Sequence, residues 1–208
     1  MPWLRLQLEP GLAEKRKIDM SLKLITAASA LAVSLAEAKA HVKQDLSDDD
    51  AQITAMITAA TEMAEQYMGA RSIMPQTWEW SDDYFPHEIH LGRAPVVSVT
   101  SIKYIDFQGV ERTLDPSAYV LDNADDCTTA EIEPAYGTCW PIARNSDNSV
   151  KVRFVTGYAN AAAVPEPIKS WIKIMVGAMY ANREAYTDRK LDRLGFVDAL
   201  LDRYKVYA

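Results

Sequence analysis

The chain has 208 residues, 49% hydrophobic and 25% charged, a balance that suits a folded globular protein and excludes wholesale disorder. Its formal net charge is -7 and no Lys/Arg-rich run occurs, which argues against a protein that grips nucleic acid by neutralising phosphates. The 2 cysteines, Cys127 and Cys139, lack a C-x-x-C spacing, so neither a zinc site nor a disulfide is implied, and free thiols are the expectation.

In residues 1–19, Pro2, Pro10 and Gly11 interrupt any period and Glu14-Lys15-Arg16-Lys17 forms a charged cluster. The segment reads either as an extended arm that orders on a partner or as a leader upstream of Met20. The apolar run from Leu24 to Val33, with Ala36-Glu37-Ala38 behind it, imitates a secretory signal. Glu9, Glu14 and Asp19 ahead of the run oppose that reading. So does Ser34-Leu35-Ala36-Glu37, a capping box that opens a helix from about Leu35 to Val42. The run is also too short to span a membrane.

Ser47-Asp48-Asp49-Asp50 starts a second helix, with Ser47 as N-cap and the aspartates complementing the helix dipole rather than holding a metal. Ile53, Met56, Ile57, Ala60, Met63, Ala64, Tyr67 and Met68 form its apolar stripe, which stops at Gly69.

After Pro75 the period changes to two. Thr77-Trp78-Glu79-Trp80 and Glu88-Ile89-His90-Leu91 alternate as strands. His87-Glu88-Ile89-His90 lacks the i, i+4 histidine pair and the helix of a zinc protease, and Pro86 favours extended chain. Val96 to Ile105 and Val110 to Leu114 flank the hairpin loop Asp106-Phe107-Gln108-Gly109, with Gly109 suited to a left-handed position and a bulge expected where the alternation slips. Tyr119-Val120-Leu121, Glu131-Ile132-Glu133 and Val150 to Val155 supply the remaining strands. The acidic loop Asp122 to Asp126 lacks the glycine and terminal glutamate of a calcium loop.

Arg153-Phe154-Val155-Thr156-Gly157-Tyr158 ends a strand, and the pair Pro165 and Pro167 resets the backbone for a helix. Ile168, Trp171, Ile172, Met175, Val176, Met179 and Tyr180 form its wide apolar stripe, with Lys169, Ser170 and Lys173 off it. A last helix carries Leu191, Leu194, Leu200, Leu201 and Tyr204. The expected fold is α+β: terminal helices forming a helical body (34–72 and 165–208, the latter with the tail) around an inserted region of short antiparallel strands (76–157), in one domain spanning 20–208.

No nucleophile elbow, P-loop, dinucleotide fingerprint or ligand-spaced His/Cys/Asp set occurs, so no catalytic, cofactor or metal residue is assigned and an enzyme is not expected.

Ser34-Leu35-Ala36-Glu37-Ala38-Lys39-Ala40-His41, Pro75-Gln76-Thr77-Trp78, Pro95-Val96-Val97-Ser98-Val99-Thr100-Ser101-Ile102-Lys103-Tyr104, and the stretch from Arg153 through Tyr180-Ala181-Asn182-Arg183-Glu184 occur in that order. Together they resemble the head-tail connector (adaptor, or head-completion) proteins of long-tailed bacteriophages and related gene transfer particles, over roughly Met20 to Tyr204. The resemblance implies a virion protein, made in the host cytoplasm, that forms a dodecameric ring of neighbouring copies beneath the portal protein. Such a ring continues the DNA channel and presents a surface to a stopper or tail-terminator protein, with no cofactor, no membrane and no specific DNA binding. By position alone it implies portal contact through Tyr204, Lys205, Val206, Tyr207 and Ala208, with the helix from Val164 to Tyr180 as the spine behind them. The arm 1–19 departs from the family pattern and is expected to reach a neighbouring subunit or the portal if it is translated. The alternative is a soluble monomeric binding module with an acidic β-surface.

Overall fold

The computed structural model describes residues 21–123, 129–182 and 195–206. The expectations for residues 1–19, Cys127, Arg183, Glu184, Leu191, Leu194, Tyr207 and Ala208 lie outside the described residues.

Four helices are described: α1 (Leu35–Val42), α2 (Asp50–Tyr67), α3 (Glu166–Ala181) and α4 (Phe196–Asp202). The α1 start is the reciprocal capping box. The Glu37 N–H donates to Ser34 Oγ at 3.2 Å and the Ser34 N–H to Glu37 Oε2 at 2.8 Å, an arrangement worth about 1 kcal/mol. The start of α2 differs from expectation. Its N-cap is Asp49, whose side chain makes no capping bond. Asp49 Oδ2 instead accepts from Tyr180 Oη at 2.6 Å, so the carboxylate that follows Ser47 is spent on tying α2 to α3. Lys39 Nζ meets Asp50 Oδ1 at 2.6 Å and ties α1 to the same turn.

α3 opens at Pro165 with Pro167 in its first turn, and buries Ile168, Trp171, Ile172 and Val176. Lys169 joins them at 8% exposed, contrary to its place off the apolar stripe: its methylene stem is covered while Nζ reaches Glu166. These side chains pack with Ile53, Ile57, Ala60 and Ala64 of α2, Ala38 of α1, and Val197 and Leu201 of α4 in one apolar cluster.

The strands are β1 (Ser21–Thr26), β2 (Gln76–Asp82), β3 (Ile89–His90), β4 (Val96–Ile105), β5 (Glu111–Thr113), β6 (Tyr119–Asp122), β7 (Glu131–Pro134) and β8 (Val150–Thr156). They form a five-stranded sheet in the order β1-β2-β8-β4-β5 and a three-stranded sheet β3-β7-β6, with every pairing antiparallel. The fold is therefore α+β. The β1 strand is new relative to the sequence reading, which assigns no element to these residues. It precedes the helices yet pairs along β2, Leu22 opposite Trp80 and Leu24 opposite Trp78. The slip foreseen in β4 appears as register shifts between Val96 and Ser98 and between Val99 and Ser101. Trp80, Ile102, Val150, Val152 and Phe154 of the larger sheet pack with Ile89 and Ile132 of the smaller one in a second apolar cluster.

The two clusters meet at a narrow junction. Ser72 N–H donates to Ala94 O at 2.8 Å, Gly157 N–H to Pro95 O at 3.0 Å and Tyr158 N–H to Ile73 O at 2.9 Å. Thr156 Oγ1, fully buried, donates to Ser72 Oγ at 2.8 Å. Gly157 sits at φ +102°, and a Cβ there would overlap the Met74 carbonyl, so no other residue fits without moving the junction. Gly157→Ala is expected to destabilise the protein by more than about 2 kcal/mol, read as a lowered midpoint in urea unfolding.

Candidate assembly surfaces

The C-terminal segment does not leave the body freely. After α4, the N–H of Val206 donates to Met68 O at 2.8 Å, and Val206 is 7% exposed. Gly69, at φ +62° just past α2, lets this approach happen, since a Cβ there would stand 3.0 Å from Val206 O. Arg71 is fully buried beneath the segment. Its Nε donates to Tyr204 O at 2.8 Å, its Nη1 donates to Tyr158 Oη at 2.8 Å, and its guanidinium lies 5.9 Å from the centre of the Tyr204 ring. Lys205 reaches back to Asp202 at 2.8 Å and stands over the Tyr67 ring at 4.4 Å. Of the residues assigned to portal contact, Tyr204, Lys205 and Val206 are thus brought together on the ends of α2 and α4.

A groove of about 490 Å³ opens between α2 and the chain that follows β1. Leu24 and Ala27 to Leu31 form one wall, Thr58, Thr61, Glu62 and Glu65 the other, and Gln76, Trp78 and Arg93 the floor. Glu65 is held by the Ile73 N–H at 2.7 Å and Gln76 Nε2 at 2.9 Å. Burial nonetheless pushes its carboxyl above the usual range, outweighing those hydrogen bonds and the nearby Arg93 charge. Arg93 stacks on Trp78 at 4.0 Å, and burial holds its guanidinium below its ordinary value. Gln76 and Trp78 belong to the segment Pro75-Gln76-Thr77-Trp78, whereas no sequence motif marks Glu65 or Arg93, which the fold brings beside them.

The far end of the β-region is apolar at its tip. Phe107 is 74% exposed and Ile142 80%. They lie close together because Asp106 bridges to Ala143, and the Arg144 N–H donates to Ile105 O at 2.8 Å. The hairpin carrying Phe107 is rigid: Asp106 Oδ1 accepts from the Gln108 and Val110 N–H groups at 2.9 Å each, Arg112 Nε bonds Oδ2 at 3.0 Å, and Gly109 takes φ +84°. Those hydrogen bonds hold the Asp106 carboxyl below its ordinary value.

His87 and His90 line one shallow cavity beside Trp80 and Asp82, but their Nδ1 atoms face different carboxylates. His87 Nδ1 is 3.2 Å from Glu88 and His90 Nδ1 is 3.1 Å from Glu131. Among the described residues, the group spaced to share a cation is Glu88, Glu131 and Glu133, whose carboxylate oxygens lie within 4.8 Å of one another beside β3 and β7 of the smaller sheet. No described helix is long and apolar enough to cross a membrane.

No family model and no curated protein sequence matches the chain. Solved structures do. A chain of the virion of a native gene transfer agent particle superposes with a TM-score of 0.74 at 22% identity, covering 90% of this chain and 96% of that one. The chain shares its fold with a component of gene transfer agent particles. A chain in the neck of the empty particle, computed with C6 symmetry, gives 0.74 at 23% identity, and one in the neck of the native particle, computed with C12 symmetry, gives 0.70 at 21%. Both cover 90% of this chain and 96% of the other.

Two outcomes follow from the site geometry. Arg71→Met leaves the Tyr204 carbonyl and the Tyr158 hydroxyl without their donor, and should cost about 2 to 4 kcal/mol and speed proteolysis near residue 203. The raised Glu65 carboxyl predicts a pH dependence. Below the pKa of an unfolded glutamate both states carry the proton and the contribution to stability is full; as pH rises through the higher folded value, that contribution is lost. The melting temperature of Glu65→Gln should therefore gain on that of the parent as pH rises above the ordinary glutamate range and through the raised folded value.

Proposed function

We propose that this chain is a structural subunit of the neck of a phage-like particle, acting without catalysis as an adaptor between the portal and the stopper or tail. Copies stand side by side in a ring of twelve, continue the DNA channel and carry the surface on which the tail attaches. The observation that carries this reading is the fold correspondence over 90% of the chain with chains in particle necks, resolved under C6 and C12 symmetry. The order of motifs resembling phage connectors supports it independently.

The physical features fit the role. A ring subunit makes heterologous contacts with two neighbours and needs exposed apolar surface beyond a monomer's requirement. Phe107 and Ile142 supply it at the tip of the β-region, where the stopper or a neighbour would sit, and Tyr136, at 105% exposed, supplies it after β7. The net charge of -7 disfavours sticking of DNA in the lumen. The segment Tyr204 to Ala208 is the portal contact in this reading. Tyr204 is bonded to Arg71, Val206 to Met68 and Lys205 to Asp202, which anchors the described part of the segment on the body. The helix α3 stands behind that anchor as the spine between it and the sheets.

Light scattering of the purified chain mixed with a portal ring tests the reading. A complex with a ring of copies is expected, and removal of Tyr204 to Ala208 should abolish it. A chain that stays monomeric and unbound beside the portal would instead favour a monomeric binding module.

A further inference from the structure

The larger sheet has two edges of unlike character. The β5 edge is three residues long, Glu111-Arg112-Thr113, all exposed and two of them charged, the kind of edge that resists further pairing. The β1 edge is twice as long, reads Ser21-Leu22-Lys23-Leu24-Ile25-Thr26, contains no proline and a single charge, and has no strand on its outer side among the described residues. Leu24 is 42% exposed and Ile25 38%. Such an edge is a template for another strand.

The sequence itself carries a matching alternation. Prolines and a glycine interrupt its first residues, but between Pro2 and Pro10 the run Leu4-Arg5-Leu6-Gln7-Leu8-Glu9 alternates strictly, apolar then polar, over the same length of six residues as β1. Pro10-Gly11 follows as a turn, and residues 10–20 lead directly into Ser21. We propose that residues 4–9 add to the outer edge of β1 of the same chain as an antiparallel sixth strand.

Parity and charge favour this pairing. In β1, Leu22 and Leu24 stand opposite Trp80 and Trp78 on the apolar face of the sheet, while Lys23 stands opposite Glu79 on the other. An arm placed with Leu8 opposite Leu22 and Leu6 opposite Leu24 continues the apolar face and covers the exposed part of Leu24. A slip by one residue would turn all three leucines to the polar face. On that polar face, Lys23, Glu79 and Arg153 already alternate in sign across the strands, with Arg153 bonded to Glu79 at 2.7 Å, and Glu9 lands diagonal to Lys23. Connectivity favours the same copy in the free chain: only residues 10–20 separate the run from Ser21, and closing a loop costs little more as it lengthens, whereas a second copy must be brought from solution. The arm then occupies the edge that would otherwise recruit foreign strands, so contacts between copies are left to the apolar tip and the helical body.

Disulfide trapping in the full chain tests this. In a Cys127→Ser, Cys139→Ser background, Leu6→Cys with Leu24→Cys should close a bond within the monomer, seen as a faster band on a non-reducing gel, because directly opposed residues in antiparallel strands lie within disulfide reach. Gln7→Cys with Leu24→Cys, on opposite faces, should close far less. Hydrogen exchange of the unsubstituted protein should find slow amides on both sides of β1, and Leu6→Pro should remove that protection from the outer side only. Bonds that form only between copies, bonds that form equally well from Gln7→Cys, or outer β1 amides that exchange freely in the unsubstituted protein would each overturn the proposal.

Discussion

One buried guanidinium holds three parts of this molecule in register. Arg71 leaves the end of α2, crosses beneath the C-terminal segment to the Tyr204 carbonyl, and reaches Tyr158 on the chain that leaves the sheet for α3. A cation taken out of water is tolerated only when its donors are used, so the position of each partner is set by the others. The backbone bonds of Ser72, Gly157 and Tyr158 then follow from this crossing, and with them the placement of the strands relative to the helices. The fold shared with particle-neck chains is therefore two apolar bodies joined across a polar seam.

Much of the fold could be read from residue patterns, because the helices announce themselves. The α1 capping box, the α2 stripe and the proline pair before α3 each combine a start signal with a sustained period, and neither depends on distant contacts. The β-hairpin at Asp106 is equally local. What could not be read is what depends on remote chain. The six residues of β1 carry little alternation of their own and run into an alanine-rich stretch that mimics a secretory signal; they become a strand only because β2, some fifty residues later, offers an edge. Asp49 stands where Ser47 is expected at the start of α2, and its carboxylate accepts from Tyr180 on another helix instead of capping, a contact no local pattern shows. Arginine is among the residues least often buried, so nothing local marks Arg71 as the centre of the seam.

The surfaces assigned to assembly divide along the same lines. Tyr204 to Ala208 were picked by position, and the geometry adds that the first of these residues are bonded to the body before any partner arrives. The groove of Glu65, Arg93 and Trp78 could not be assembled from the sequence, since its members come from α2, from β2 and from the loop before β4. Desolvation acts on two of its titratable groups in opposite senses, pushing the Glu65 carboxyl up and the Arg93 guanidinium down.

The separation of the two apolar clusters has a mechanical consequence. They have no residue in common, so each can hold its own packing while the seam between them yields slightly. Unequal loads on the helical and the sheet ends can then be met by a small tilt of one body against the other. Neither hydrophobic interior then has to deform to reconcile them.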